Sequence, residues 1–204
     1  LIEKAKELLE VEEPELEITL DEMLRTNDVI RDLCPVQSES TIGTDTEAIY
    51  LPPYYFSESG CAKRLIRLMS CGRDLKVNPK VILQKVVTQS EITYDDIQLE
   101  AVKTAISSKV MVLTGGPGTG KTTTTLGIIS AYRQAGCQII LAAPTGRAAK
   151  RMSEATGMEA KTIHRLLEYK PPEGYQKNEE KPLEGDVLIL DECSMIDVMP
   201  VSYT

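Results

Sequence analysis

Apolar residues recur at helical spacing in LIEKAKELLE, where Leu1, Ile2, Ala5, Leu8 and Leu9 share one face and predict an opening helix. TLDEML begins with a capping-box pattern, Thr19 to Glu22, which predicts that a second helix starts there. DVIRDL (28–33) and EAIYL (47–51) read as short strands joined by the polar stretch QSESTIGTDT. Two helices and a hairpin predict a small winged-helix-like module over residues 1–56. PPYYF then marks a break, and residues 57–91 read as a helical connector. Its helix, SESGCAKRLIRLMS, places Ala62, Leu65, Ile66 and Met69 on one face. Residues 71–92 read as a looser stretch containing Pro79.

From Tyr94 the pattern changes. A helix (95–107) precedes the apolar strand VMVLT (110–114), and a glycine-rich loop leads into another helix (120–135). The strand QIILAA (138–143) runs through PTGRAAKRM into a helix, and TIHRLLEY predicts one more. A Pro/Glu/Lys-rich loop (170–185) separates these from the strand VLIL (187–190). Strands alternating with helices predict an α/β domain over 92–204, with a parallel sheet covered by helices on both faces. Functional residues are then expected at the carboxyl ends of the strands.

Composition places the chain among soluble globular proteins, at 42% hydrophobic and 26% charged residues. No apolar run approaches the length of a bilayer span. Five cysteines without a C-x-x-C pair point to ordinary thiols of a reducing compartment, with the cytoplasm expected. The net charge of −8 is unevenly spread. Residues 1–50 hold 14 acidic and 4 basic side chains, a net of −10. Residues 143–170 hold 3 acidic and 6 basic, a net of +3. Phosphate binding depends on such a local strip and not on the average. The acidic sign of the first module favours a structural or protein-contact role over DNA binding.

GGPGTGKT (115–122) matches G-x-x-x-x-G-K-[ST], between a predicted strand and a predicted helix. Gly115, Gly118 and Gly120 let the backbone turn tightly, so that N–H groups face a nucleotide phosphate. Gly116, Pro117, Thr119 and Thr123 complete the candidate nucleotide-binding stretch. Lys121 can reach β- and γ-phosphate oxygens, and the Thr122 hydroxyl can coordinate Mg²⁺. In VLILDE, a buried strand would deliver Asp191 to the same Mg²⁺, with Glu192 as general base for the attacking water. The two motifs together predict hydrolysis of ATP or GTP. Gln98, in YDDIQLEAV, carries an amide that can pair with adenine N6 and N7 together. Arg147, Lys150 and Arg151 cluster at the start of a predicted helix and form a phosphate-friendly surface. Lys161, Thr162, His164 and Arg165 extend it. His164, the one histidine, has no second ligand candidate nearby; a packing or hydrogen-bonding role is its first reading and nucleic-acid contact its second.

DDIQLEAV, TGGPGTGKTTTT, LAAPTGRAAKRMSEATG, AKTIHRLLEY and LDECSMID resemble successive motifs of the RecD-like DNA helicases of superfamily one. The resemblance is dense from about Ile92 to Asp197. It implies a RecA-like P-loop domain driving 5′→3′ movement on single-stranded DNA, with ATP and Mg²⁺, and duplex ends bearing a 5′ overhang as substrate. It implies that Gln98 reads adenine, and that Pro144, Thr145, Gly146 and Arg147 lie along the DNA strand. That family's motor also needs a second RecA-like domain carrying an arginine finger, and no such sequence follows Asp197. Leu1 in place of Met, and the ending VMPVSYT, where Pro200 would interrupt a helix, lead us to expect a fragment with a foreign final VSYT. Such a fragment is expected to bind ATP with little hydrolysis. Two alternatives remain open at this point: another DNA-associated P-loop ATPase, and a non-hydrolysing nucleotide- or DNA-binding module.

Overall fold

A computed structural model describes residues 1–35, 45–71, 78–90, 92–116 and 118–196. Val36, residues 37–44 of the first polar loop, residues 72–77, Glu91, Pro117, Asp197 and the ending VMPVSYT lie outside the described residues. The chain divides into two compact units, Leu1–Cys61 and Ala62–Thr204.

In the first unit, α1 (Ile2–Leu9) and α2 (Glu13–Thr26) precede an antiparallel pair, β1 (Ile30–Pro35) and β2 (Asp45–Tyr50). The register pairs Ile30 with Tyr50 and Arg31 with Ile49. The two helices and the hairpin follow the sequence pattern, but α2 starts earlier than expected. Pro14 occupies its first turn, where a missing N–H costs nothing. Leu16, Leu20 and Met23 then form one half-buried face. Thr19 is therefore inside the helix, and its hydroxyl donates back to the Glu15 carbonyl at 2.8 Å instead of capping. On α1, Leu8 and Leu9 remain exposed. The helix α3 (Pro52–Ser70) begins at the prolines of PPYYF, which start it instead of breaking the chain.

The second unit carries α4 (Pro79–Gln89), in the stretch that read as a loose connector. Asn78 caps it, its side chain accepting from the Lys80 N–H, and Pro79 takes the first turn. The helices α5 (Asp96–Ser107) and α6 (Lys121–Gln134) follow. A parallel three-stranded sheet is ordered β4 (Ala160–Thr162), β3 (Ile139–Ala143), β7 (Val187–Leu190). The helix α7 (Gly146–Thr156) connects β3 to β4. After the short α8 (Ile163–Leu166), the chain forms a small antiparallel hairpin, β5 (Tyr169–Lys170) with β6 (Gly174–Tyr175). The predicted helix TIHRLLEY is thus one turn of helix followed by the start of a hairpin.

The core lies where α4, α5 and α6 meet. Ile82, Val86, Val102, Ala105, Ile106, Ile128, Ala131 and Tyr132 pack together, with Ile139, Val187 and Ile189 of the sheet against them. Burying each large aliphatic side chain contributes about 1.5–3 kcal/mol. Ile129, Leu141 and Met152 bring α7 onto the same sheet face. On the other face Leu188 and Leu190 are 45% and 37% exposed. The expected helical cover on both faces is therefore incomplete at β7 among the described residues.

VMVLT (110–114) is a second difference, since it joins no sheet among the described residues. It still keeps the two-residue period of a strand. Met111 and Leu113 pack on the core, while Val112 is 84% exposed. Apolar packing of Met111 and Leu113 ties this segment to the core, and it makes no ladder among the described residues.

Candidate nucleotide and nucleic-acid site

The glycine loop is shaped by backbone that only glycine adopts freely. Gly118 and Gly120 have φ of 74° and 76°. The Lys121 ammonium folds into the loop and donates to the carbonyls of Gly115 and Gly116 at 2.6 and 2.7 Å. The Thr119 hydroxyl donates to the Gly116 carbonyl at 2.9 Å. These bonds occupy the cation that a phosphate would recruit. Lys121 and Thr122 stand exposed at the start of α6, with Thr123 half-buried behind them. That helix start presents backbone N–H groups and a positive dipole end.

Gln98 lies against this loop. A Cβ built on Gly120 would come within 2.5 Å of Gln98 Nε2. The Gln98 carbonyl oxygen accepts from the Asp95 N–H at 3.1 Å, and Asp95 accepts from the Gln98 N–H at 2.8 Å. This is a capping box that fixes the start of α5. The pattern D-x-x-Q was present in the sequence and identifies it. One lone pair of the Gln98 oxygen is thus used internally, leaving the second and the amide N–H₂ for a ligand.

The remaining candidates collect at the carboxyl edge of the sheet. The parallel registers align Ala142 with Leu190, and Ala143 with Thr162. Asp191, the Pro144–Arg147 turn, and Thr162 with His164 therefore follow three adjacent strand ends. The Asp191 N–H donates to the Ala142 carbonyl at 3.0 Å, extending the ladder to the acidic residue itself. Its carboxylate accepts from the Glu192 N–H at 2.9 Å. Glu192 has φ of 52°, a left-handed conformation uncommon outside glycine. No hydrogen bond or ion pair joins Asp191 or Glu192 to the glycine loop among the described residues.

Thr145 caps α7, its hydroxyl accepting from the Ala148 N–H at 3.2 Å, and Thr162 caps α8 by accepting from the Arg165 N–H. Gly146 and Arg147 are exposed, and Pro144 is half-buried. Among the described residues Arg147 and Arg165 have no ion-pair partner, whereas Lys150 pairs with Glu154 and Lys161 with Glu159. Arg151 pairs with Glu192, a contact that spacing along the chain did not reveal. His164 stacks edge-on with Tyr169 at 5.6 Å and lies 5.8 Å from Tyr175. Both rings belong to the β5–β6 hairpin, so His164 sits among aromatic side chains. Burial, and then the neighbouring Tyr169 ring, raise the pKa of Tyr175.

Among the described residues no cluster of three or more His, Cys, Asp or Glu side chains could hold a metal. A Mg²⁺ site of the phosphate-bridging kind needs no such cluster, because it uses one or two protein oxygens beside phosphates and water. Thr122 and Asp191 are both exposed and supply a hydroxyl and a carboxylate, oxygens of the kind such a site uses. No described helix is long and apolar enough to cross a membrane.

Residues 98–202 match the family described as AAA domain, over half of the chain. The chain is 34% identical over 168 residues to the ATP-dependent RecD2 DNA helicase of Deinococcus radiodurans, covering 79% of this chain and 22% of that protein. It is 33% identical over 177 residues to the RecBCD enzyme subunit RecD of Mycobacterium tuberculosis, covering 76% and 30% respectively. To the ATP-dependent DNA helicase dda of Enterobacteria phage T4 it is 41% identical over 120 residues, covering 54% and 26%. It thus spans about a quarter of the length of these relatives. The glycine loop, the acidic pair on a parallel strand and these similarities agree: the chain belongs to the AAA domain family and is a RecD-like member of it.

Proposed function

We propose that this chain is the nucleotide-binding part of an ATP-driven DNA helicase that moves 5′→3′ along single-stranded DNA and acts on duplex ends with a 5′ overhang. The reading rests on one observation above all: the acidic pair and the Thr145–Arg147 helix start occupy neighbouring strand ends of one parallel sheet. Hydrolysis and strand grip then share one rigid edge, so a change at one is felt at the other. Gln98 recognises adenine, the Gly115–Thr123 stretch cradles the phosphates, and Lys121 leaves the carbonyls of Gly115 and Gly116 for γ-phosphate oxygen. Thr122 and Asp191 would hold Mg²⁺, which would offset the charge of the phosphates. Glu192 takes the proton of the attacking water. Pro144, Thr145, Gly146, Arg147, Lys150, Arg151, Thr162 and His164 track the DNA backbone, which keeps the grip sequence-tolerant.

The first test is nucleotide binding. Lys121→Ala is expected to weaken binding of fluorescent ATP at least about tenfold, since charge-assisted bonds to phosphate are the strong ones. Gln98→Ala is expected to weaken ATP more than GTP. Unchanged affinity in Lys121→Ala sinks the reading. In the whole protein, ATP turnover rises with single-stranded DNA, and turnover indifferent to DNA removes the motor. A second reading, a nucleotide- and DNA-binding module that does not hydrolyse, draws support from the pairing of Glu192 with Arg151.

A further inference from the structure

The ion pair between Arg151 and Glu192 joins two residues that the proposed function assigns to different tasks. Arg151 lies in the second turn of α7, behind the helix start assigned to DNA. Glu192 follows β7 and is assigned to the water. They are 41 residues apart, and an Arg151 Nη2 hydrogen reaches Glu192 Oε1. The glutamate is held there from its own side. Its left-handed backbone sits between the last β7 ladder bond and a 3₁₀ turn, Cys193–Met195, which starts with the Met195 N–H donating to the Glu192 carbonyl at 3.0 Å.

We propose that Arg151 is a positioning residue that holds Glu192 away from the attacking water until a phosphate of single-stranded DNA claims the guanidinium. The inference rests on the DNA-binding reading given above. Three features carry it. The Arg151 side chain is 62% exposed while that of Glu192 is 28% exposed, so the arginine end of the pair is open to a ligand. A guanidinium has five donors in a planar fork that suits phosphate as well as carboxylate, so one anion can replace the other without moving the helix. Partly exposed ion pairs are weak, so one added phosphate contact suffices to shift the balance. Lys150 cannot play this part, because it pairs with Glu154 on its own helix. Among the described residues Arg147 has no carboxylate to release. With the pair intact Glu192 is engaged and hydrolysis is slow; with DNA bound the carboxylate is free.

Linkage makes the device measurable without hydrolysis. If DNA and Glu192 compete for Arg151, the carboxylate must weaken DNA binding by the same factor that DNA weakens the pair. The experiment is a double-mutant cycle on binding of a fluorescent oligo(dT) to this chain at low salt. Glu192→Gln is expected to bind at least about fivefold more tightly than the parent, and this gain is expected to vanish when Arg151→Gln is present. Arg151→Met, which keeps the aliphatic stem, replaces Arg151→Gln if that variant fails to fold. An equal gain in both backgrounds means that Glu192 acts only as a general negative charge, and overturns the switch. No gain in the parent background overturns it as well. Failure of the parent itself to bind oligo(dT) overturns the DNA reading, an outcome distinct from the other two.

Discussion

Gly120 sits where a methyl group would have to displace the Gln98 side chain. Its φ of 76° disfavours any L side chain, and a Cβ would meet Gln98 Nε2 at 2.5 Å. Gly120→Ala is therefore expected to cost about 1–2 kcal/mol of stability and to displace Gln98, lowering ATP affinity as well. Thermal melting and a nucleotide titration check both. Gly146 is the contrast, with no positive φ and nothing within 4 Å of a built Cβ. Gly146→Ala is expected to leave stability unchanged or raise it by about 0.4–1 kcal/mol. Any loss of oligonucleotide affinity in that variant then reports how closely a ligand approaches the backbone. At Cys137, burial, and then Asp186, raise the thiol pKa above its ordinary value. The folded state therefore holds this proton more tightly than the unfolded state. The resulting stability is fully present below the ordinary thiol pKa and is lost as pH rises through the folded value. Unfolding midpoints above about pH 8.5 should fall less steeply in Cys137→Ala than in the parent, and an identical slope would contradict this.

Helix α4 belongs to the core of its unit although its sequence read as a connector. Ile82 and Val86 are 4% and 0% exposed and pack with α5 and α6. Ile82→Ala is expected to destabilise by about 2–5 kcal/mol, measured by urea unfolding; a connector position would lose well under 1. The signal that places α4 was local and present: Asn78 as cap, Pro79 in the first turn, and apolar residues at 82, 83 and 86. Capping motifs were less reliable guides elsewhere. Thr19 and Glu22 have the capping-box spacing but lie inside α2, because Pro14 had already started that helix. Asp95 and Gln98 have the same spacing and form the box. The motif states which side chains can cap; where the helix begins depends on which residues it can bury.

Across the whole chain, a net charge of −8 coexists with a basic strip of +3 over residues 143–170. Binding of single-stranded DNA should weaken with salt, and Arg147→Ala should reduce the log–log salt slope by about 0.7, the contribution of one phosphate contact. An unchanged slope would remove Arg147 from the interface. The acidic first unit supplies 14 of the chain's 31 acidic residues within residues 1–50, so the average charge describes neither part.

The amino-acid sequence by itself determined the chemistry of the candidate site. GGPGTGKT needs glycines where φ is positive and a lysine beside them, and VLILDE needs an apolar run that ends in carboxylates. Both are properties of short segments, legible because backbone freedom and charge are local. The helix–strand alternation was equally local, and with it the parallel sheet. Partnerships between distant segments were decided only by the tertiary structure. VMVLT has the composition of a strand, yet a strand exists only where a neighbour supplies its ladder. Gln98 meets Gly120 because α5 and α6 pack through Val102 and Ile128. Arg151 meets Glu192 because β3 and β7 run side by side and in parallel, bringing the end of one strand beside the helix that follows the other. A side chain's type states what it can bind; the pairing of strands and the burial of helix faces decide what stands within its reach.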